Sequence, residues 1–248
     1  MSLSKEDITI HAVGGCHIHG YPYGADKAFI TLAANRLVEQ PVQVLRLAPA
    51  SFRKVDAYFD DPANQIEGQI VVVQMGNHES MTNSWRGQTL AEPAASSQNV
   101  DAAHMQSRLR AMPLVGWALD LVKVAVFLAR EFSGHEFFQP EVFSARMNQT
   151  FAKIAARHPA RVIVLSSLLA NAPELNVCRR RLNLVLRDRT RDFGFDYVDA
   201  YEALDGANGH GGGSLFCDAL HLSEQGQAVL GDTLAGPLQA AVRDLRQR

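Results

Sequence analysis

Short apolar runs rich in β-branched residues recur along the chain, and each is nearly continuous rather than alternating. They lie at Ile8–Val13, Val42–Leu47, Gln69–Met75, Arg161–Leu165 and, more weakly, Phe195–Val198. Continuous apolar runs of this length are typical of strands that are buried on both faces of a parallel sheet. The pattern therefore predicts five buried parallel strands.

Helical patterns lie between these runs, with apolar residues recurring at helical spacing. They cover Ala25–Glu39, Glu141–Arg157 and Asn176–Phe193, and a last helix begins at Ser223, a good N-cap residue, and runs to about Val242. Strands that alternate with helices form βαβ units, in which helices cover both faces of a parallel sheet. We expect residues 1–248 to form one α/β domain.

The least regular part of the chain, at about residues 80–140, follows the third predicted strand. It contains a polar loop and then an apolar stretch, Leu114–Ala129, which Asp120 and Lys123 interrupt. That stretch is shorter than the roughly 20 residues that span a bilayer as a helix, so we expect no membrane span. A long excursion from the carboxyl end of a strand is typical of a lid or a substrate-recognition insert, and it fits a plain structural insertion equally well.

Composition and charge exclude several classes of protein. The chain of 248 residues is 47% apolar and carries a formal net charge of −2, which favours a globular protein and argues against nucleic acid as its partner. The arginines from Arg179 to Arg191 are interleaved with Asp188 and Asp192, and we expect them on the outer face of an amphipathic helix. Three widely spaced cysteines are typical of free thiols in a reducing compartment. With no apolar run of signal-peptide length at the N-terminus, these features predict a cytoplasmic protein.

Candidate chemistry is concentrated in three polar segments at the ends of predicted elements. Gly14-Gly15-Cys16 follows the first strand, Gly76-Asn77-His78-Glu79 follows the third, and Asp218-Ala219-Leu220-His221 precedes the last helix. Open α/β folds bind their ligands at the carboxyl edge of the sheet. We therefore expect the three segments to meet at that edge.

Together the three segments supply the roles that acyl transfer requires. Cys16 is the candidate nucleophile, His221 is the base that takes its proton, and Asp218 is the carboxylate that orients the imidazole. The tetrahedral intermediate also needs fixed donors for its negative charge. The Asn77 side-chain amide and the Cys16 backbone N–H are the candidates for that oxyanion hole.

The same segments resemble the sequence blocks of the SGNH hydrolases, also called GDSL-like lipases and esterases. That family has Gly-Asp-Ser with a glycine four residues after the serine, and here Cys16 and Gly20 have that spacing. VVVQMGNHE resembles the family's Gly-x-Asn-Asp block, with Asn77 at the asparagine, and CDALHLSEQGQAVL resembles its Asp-x-x-His block. Cysteine stands where the family has serine, Gly15 where it has aspartate, and Met75 where it has glycine.

The resemblance implies a three-layer α/β/α sandwich with a five-stranded parallel sheet in flavodoxin-like order. It also implies ester hydrolysis without a cofactor, with an acetyl group on a carbohydrate or a small ester as the expected substrate. The family's second-block glycine, whose N–H helps to bind the oxyanion, has no clear counterpart, so an N–H near Ala48 or Ala50 is expected in its place. His17 and His78 are candidates for contact with the substrate.

A cysteine nucleophile leaves the outcome of the reaction open. A thiol beside a histidine can form a thiolate–imidazolium pair, with a pKa below the free value of about 8.5, and its acyl adduct is an activated thioester. Water or another acceptor could take the acyl group, so a hydrolase and an acyltransferase both fit these residues. A third alternative is that the change from serine impairs hydrolysis and leaves an acyl-binding protein.

His17, His19 and His78 also suggest a metal-dependent phosphoesterase or hydrolase, because imidazoles at strand ends can hold a two-metal site. Gly-Asn-His-Glu at residues 76–79 resembles a block of the metallophosphoesterases. That family has an aspartate two residues before its first histidine, where this chain has Gly15, and nothing between residues 21 and 75 supplies its Gly-Asp block. A metal site would also leave the segment at residues 218–221 without a role.

Overall fold

The computed structural model describes residues 8–37, 42–48, 50–77, 140–171, 173–208, 214–218 and 220–247. Within these residues five parallel strands form one sheet in the order β2-β1-β3-β4-β5. The strands are β1 (Thr9–Gly14), β2 (Gln43–Leu47), β3 (Ile70–Gln74), β4 (Arg161–Leu165) and β5 (Asp196–Val198). The five predicted strands and their flavodoxin-like order are confirmed.

Helices connect the strands and cover both faces of the sheet. They are a short 3-10 helix (Cys16–His19), α1 (Phe29–Asn35), α2 (Phe52–Asp60), α3 (Pro140–Ala156), α4 (Pro173–Asp192), α5 (Ala200–Asn208) and α6 (Glu224–Arg246). The predicted helices correspond to α1, α3, α4 and α6. α1 is shorter than predicted because residues 25–28 form turns, while α2 and α5 were not predicted.

Side chains of the strands alternate between two cores, one on each face of the sheet. On one face, Ile10, Val72 and Ile163 pack with residues of α1, α5 and α6. On the other face, Val73 and Val164 pack with residues of α2, α3 and α4. The expected three-layer α/β/α sandwich is therefore present. Its central strands β1, β3 and β4 are buried on both sides as their apolar runs predicted, whereas the edge strands β2 and β5 are partly exposed.

The segment before α6 is held rigidly against the body of the protein. Ser223 is the N-cap of α6, as predicted, and its side chain accepts a hydrogen bond from the Gly226 N–H at 3.2 Å. The backbone N–H of Ser223 donates to the Leu215 carbonyl at 2.9 Å. A Cβ at Gly226 would lie 2.3 Å from that same carbonyl oxygen, so only glycine fits. These contacts fix the position of Asp218 and His221, which lie between residues 215 and 223.

The predicted insert at about residues 80–140 lies outside the described residues, apart from Pro140, where α3 begins. The apolar stretch Leu114–Ala129 lies outside them as well. Among the helices that the structure does describe, none has the length and apolar character needed to cross a bilayer.

The expectation that the arginines of α4 line its outer face is wrong for Arg179. Arg180, Arg181 and Arg187 are exposed, but Arg179 is only 1% exposed. Arg179 lies three and seven residues before Leu182 and Leu186, which belong to one of the two cores. It therefore lies on the buried stripe of the helix.

Candidate active site

β1 places Cys16 at the carboxyl edge of the sheet, where the chain leaves the strand through two glycines. Gly14 lies so close to β3 that a Cβ there would be 2.2 Å from the carbonyl oxygen of Gln74. The Gly15 N–H donates to that same carbonyl at 3.2 Å. The chain then turns into the 3-10 helix, of which Cys16 is the first, partly exposed residue. The glycines therefore bring Cys16 beside the end of β3.

Asp218 holds both the backbone and the ring of His221. One carboxylate oxygen, Oδ2, lies 2.8 Å from Nδ1 of the imidazole. The other, Oδ1, accepts hydrogen bonds from the backbone N–H groups of Leu220 and His221, each at 2.7 Å. His221 is 8% exposed. The ring is thus fixed with Nδ1 toward the carboxylate, which leaves Nε2 for a second partner.

That second partner is Cys16, and its contact with the imidazole contributes to the pKa of His221. Burial would lower the pKa of His221, but its hydrogen bonds with Asp218 and Cys16, together with the charges of those groups, raise it to about 9. Burial would raise the pKa of Asp218, but its hydrogen bonds with His221 and with two backbone N–H groups lower it to about 2. At neutral pH the pair is therefore a carboxylate and an imidazolium, and the imidazolium lies next to the Cys16 sulfur.

Asn77 lies three residues after the end of β3, and its amide is held in one orientation. Its Oδ1 accepts hydrogen bonds from the Ser167 hydroxyl and the Leu168 N–H, both at 2.8 Å. Nδ2 therefore faces the site and lies 3.5 Å from Nδ1 of His17. Gly76, just before it, has a φ of +104°, in the region that favours glycine. The backbone turn at Gly76 and the loop after β4 together aim the amide N–H groups at the site.

His17 is buried beside Cys16, whereas His19 lies on the surface. His17 is 2% exposed, and its Nδ1 lies 3.8 Å from the Cys16 sulfur. Its Nε2 is buried and has no hydrogen-bond partner among the described residues. His19 is exposed. His17 therefore touches the candidate nucleophile and His19 does not.

The metal alternative draws on residues that the structure describes only in part. His78 and Glu79 lie outside the described residues, so the predicted contact of His78 with the substrate stays a prediction. Within the described ranges, no group of three or more His, Cys, Asp or Glu side chains is arranged to hold a metal ion. Asp218 and His221, which had no role in a metal site, bind each other instead.

A third oxyanion donor was expected from the backbone near Ala48 or Ala50. The Ala50 N–H already donates to the Gly14 carbonyl at 2.8 Å, so it is not available to an oxyanion. Ala48 directly follows β2 and is partly buried. Ala48 therefore remains the predicted backbone donor of the two.

Four residues near the site were not predicted from the sequence. The ring of Tyr21 packs edge-on against His221 with centroids 4.5 Å apart. Ser167 and Leu168 orient Asn77, and the buried Arg179 donates to the Leu168 carbonyl at 2.8 Å. The two serines that directly follow β4 could have been found, because they end a strand at the same edge of the sheet. The run of arginines carries no comparable signal for Arg179.

Solved structures with the same fold are lipolytic and esterase proteins. A lipolytic protein of the G-D-S-L family from Veillonella parvula is 11% identical, with a TM-score of 0.59 over 92% of this chain and 97% of that one. A lipase/acylhydrolase from Enterococcus faecalis is 13% identical, with a TM-score of 0.59 over 94% and 96% of the two chains. A catalytic mutant of an acetylxylan esterase from Geobacillus stearothermophilus is 11% identical, with a TM-score of 0.58 over 94% of each chain.

These similarities extend over nearly the whole of each chain. No protein-family model matches the sequence, and no curated protein matches it either. At identities this low, structural likeness establishes the fold and not the activity. The chain therefore has the fold of the GDSL, or SGNH, lipolytic proteins and acetylxylan esterases, as its sequence blocks predicted.

Proposed function

We propose that this protein is an SGNH-type ester hydrolase with a cysteine nucleophile, and that Cys16, His221 and Asp218 form its catalytic triad. The observation that carries the proposal is the His221 ring, which hydrogen-bonds Asp218 on one side and Cys16 on the other. A nucleophile, a base and an orienting carboxylate in that order are the arrangement that acyl transfer uses. The fold, shared with esterases, supports the same reaction.

In the acylation step the Cys16 sulfur attacks the carbonyl carbon of the ester. The C=O π electrons move to the oxygen, and the oxyanion accepts hydrogen bonds from the Asn77 amide and from the Cys16 and Ala48 N–H groups. The intermediate collapses as the bond to the alcohol oxygen breaks. The His221 imidazolium gives its proton to the leaving alcohol, and Cys16 is left as a thioester.

In the deacylation step His221, now neutral, takes a proton from water. The hydroxide that forms attacks the thioester carbonyl, and the second intermediate expels the Cys16 thiolate beside the imidazolium. Asp218 stays ionised throughout, since its pKa of about 2 keeps it a carboxylate at neutral pH. Its role is to hold the ring and to stabilise the imidazolium.

We propose a small acyl group, such as acetyl on a carbohydrate or a small alcohol, as the substrate. Two of the solved structures with this fold are acetylxylan esterases, which supports that choice for the acyl group. We further propose that the protein works in the cytoplasm. None of the three cysteines forms a disulfide, and a reducing compartment keeps a thiol nucleophile active.

A second candidate function, acyl transfer, is favoured by the cysteine itself. A thioester is more reactive toward nucleophiles other than water than an ordinary ester is, and the acyl group could pass to an alcohol or amine of an acceptor. His17, whose ring touches the Cys16 sulfur, would then lie against either the ester or the acceptor. An acyl-binding protein without turnover is the remaining alternative.

The proposal is tested by mass spectrometry of the intact protein after exposure to a panel of acyl esters. We expect one acyl adduct, located by peptide mapping on Cys16, and turnover that Cys16→Ala lowers by more than about 1,000-fold. His19→Ala is the matched control, because His19 is exposed on the same short helix and has no role in the triad. It should form the adduct at the wild-type rate.

The fate of the adduct separates the candidate functions. Decay in buffer alone indicates a hydrolase, whereas decay that requires an added sugar or amine indicates a transferase. An adduct that neither condition removes indicates an acyl-binding protein. No adduct and no turnover with any ester, in protein whose thiol is reduced, would refute the proposal.

A further inference from the structure

Arg179 is buried next to the site, yet neither step of the proposed reaction uses it. Its side chain is 1% exposed, and its Nη1 donates to the Leu168 carbonyl at 2.8 Å. Its Nε is also buried and has no hydrogen-bond partner among the described residues. A guanidinium is costly to bury unless a negative charge compensates it.

Among the described residues, no carboxylate supplies that charge. The groups whose negative charge acts on Arg179 are Cys16, Tyr201 and Cys178. Burial raises the pKa of Tyr201, so its phenol stays neutral at pH 7. Cys178 is a buried thiol, whereas Cys16 has His221 beside it to take its proton. Cys16 is therefore the group whose ionisation Arg179 can favour.

Arg179 is also linked to the predicted oxyanion hole. It donates to the carbonyl of Leu168, and the N–H of Leu168 donates to Oδ1 of Asn77 at 2.8 Å. That second bond is one of the two that aim the Asn77 amide at the site. Nδ2 of Asn77 in turn lies 3.5 Å from Nδ1 of His17, and that nitrogen lies 3.8 Å from the Cys16 sulfur. The guanidinium therefore belongs to the same cluster of contacts as Cys16 and anchors the loop that orients Asn77.

We propose that Arg179 is a positioning residue that stabilises negative charge at Cys16, on the resting thiolate and on the tetrahedral intermediate, from within the protein and without touching the substrate. The inference rests on the proposed thiol chemistry of Cys16. Burial lowers the pKa of Arg179 to about 10, which leaves the guanidinium charged at neutral pH. Arg179 and His221 then contribute separately to the ionisation of the thiol.

Other ionisable groups face Cys16 and must be left unchanged in a test. They are His17, Tyr21, His221 and, through His221, Asp218, with Cys217 on the adjacent segment. Substitutions confined to position 179 keep all of them. Differences between such variants therefore report the guanidinium alone.

The test measures the rate at which iodoacetamide alkylates Cys16 between pH 5 and pH 10, with each cysteine followed separately by peptide mass spectrometry. In Arg179→Gln we expect the rate at pH 6.5 to fall by about tenfold, because the thiolate fraction falls. In Arg179→Lys, which keeps the charge, the rate should stay within about threefold of wild type. Alkylation of Cys217 should not change in either variant.

Arg187→Gln is the matched control, since Arg187 is exposed on the same helix, and it should behave as wild type. An unchanged Cys16 profile in Arg179→Gln overturns the proposal. An equal loss of rate in Arg179→Lys and Arg179→Gln also overturns the proposal. Lysine keeps the positive charge, so an equal loss would mean that Arg179 acts through its structural contacts and not through its charge.

His221→Ala provides a measurement that does not depend on the folding of any Arg179 variant. With Arg179 still present, Cys16 should react faster at pH 6.5 than the thiol of N-acetylcysteine, and equal rates overturn the proposal. Failure of the proposed function gives a different result. In that case wild-type Cys16 is alkylated rapidly at low pH, but no ester yields an adduct or turnover.

Discussion

Each edge of the sheet has a buried or half-buried arginine, and the two arginines differ in whether a carboxylate pairs with the guanidinium. At the amino edge, Arg161 at the start of β4 pairs with the carboxylate of Asp196, which accepts from both Nε and Nη2. At the carboxyl edge, Arg179 donates to one backbone carbonyl and pairs with no carboxylate among the described residues. The hydrogen bond with Asp196 raises the pKa of Arg161, whereas burial lowers the pKa of Arg179 to about 10.

A second arginine at the amino edge also has several hydrogen-bond partners, which are backbone carbonyls. Arg157, just after α3, donates from Nη1 to the carbonyls of Phe59 and Asp61 at 2.8 and 2.9 Å, and from Nη2 to that of Asn64 at 2.7 Å. It thereby ties α3 to the loop that follows α2. A guanidinium used in this way stabilises the fold.

The difference indicates what each edge is for. Buried polar groups without partners lower stability, and those at the carboxyl edge include Nε of Arg179, Nε2 of His17 and the side-chain amide of Gln74. Unpaired charge and donors are useful where negative charge develops during a reaction. We therefore expect substitutions at the carboxyl edge to change activity more than stability, and substitutions at the amino edge to do the reverse.

Among substitutions that keep the triad intact, the largest effect should come from Asn77→Ala, at the carboxyl edge. It removes the side-chain donor of the predicted oxyanion hole, and we expect kcat to fall by about 100-fold with little change in KM. Steady-state kinetics with an ester that wild type turns over will measure it. The matched control is Ser167→Ala, which removes one anchor of the Asn77 amide but keeps its donor. A loss as large in Ser167→Ala would mean that Asn77 matters only for the structure of the loop.

The next effect concerns the pH dependence of the triad. The folded-state pKa of His221 is raised to about 9, so the imidazolium that protonates the leaving alcohol is present below that pH and is lost as the pH rises through it. The rate should therefore decline above about pH 9 in wild type. In Asp218→Asn the carboxylate that raises this pKa is gone, and the alkaline limb should move down by roughly one to two pH units.

Profiles of kcat/KM against pH, measured with the same ester, will test this second prediction. Asp188→Asn is a suitable control, because Asp188 pairs with Arg191 on the outer face of α4, far along the chain from the triad. Its alkaline limb should coincide with that of wild type. An alkaline limb that Asp218→Asn does not move would mean that a group other than His221 gives up the proton.

The fold was predictable wherever burial requires a regular pattern of apolar residues in the sequence. Strands buried on both faces have continuous apolar runs, and long helices have apolar residues at helical spacing along one face. α2 and α5 were missed because each has only nine residues, too few for a periodic pattern to stand out. The bounds of α1 were too wide because the turns at residues 25–28 contain no glycine or proline to mark them.

The candidate site was predictable in part for a geometric reason. Cys16 and Asn77 lie two and three residues after neighbouring parallel strands, so the sheet brings them to the same edge. Arg179 was not predictable in this way, since its role depends on where the loop after β4 places the Leu168 carbonyl. Its helical phase, three residues before Leu182, was the available signal, and the neighbouring exposed arginines concealed it.

The smallest effects should come from the amino edge, and they should appear in stability alone. Arg157→Met removes the hydrogen bonds to three carbonyls. Because the guanidinium is partly in contact with water, we expect a loss of about 1 to 2 kcal/mol in the free energy of unfolding. For a chain of this size that corresponds to a fall in Tm of roughly 2–8 °C. Turnover of the ester, measured well below the new Tm, should be unchanged.

Arg161→Gln is the matched comparison at the same edge. Arg161 pairs with Asp196 and more distantly with Asp244, but its side chain is 42% exposed. Water screens such pairs, so we expect a loss of only about 0.5 kcal/mol. Both variants should leave the rate of Cys16 alkylation at the wild-type value. If Arg157→Met slowed alkylation as much as Arg179→Gln, stability and chemistry would not be divided between the two edges of the sheet, and the charge of Arg179 would have no special part in the site.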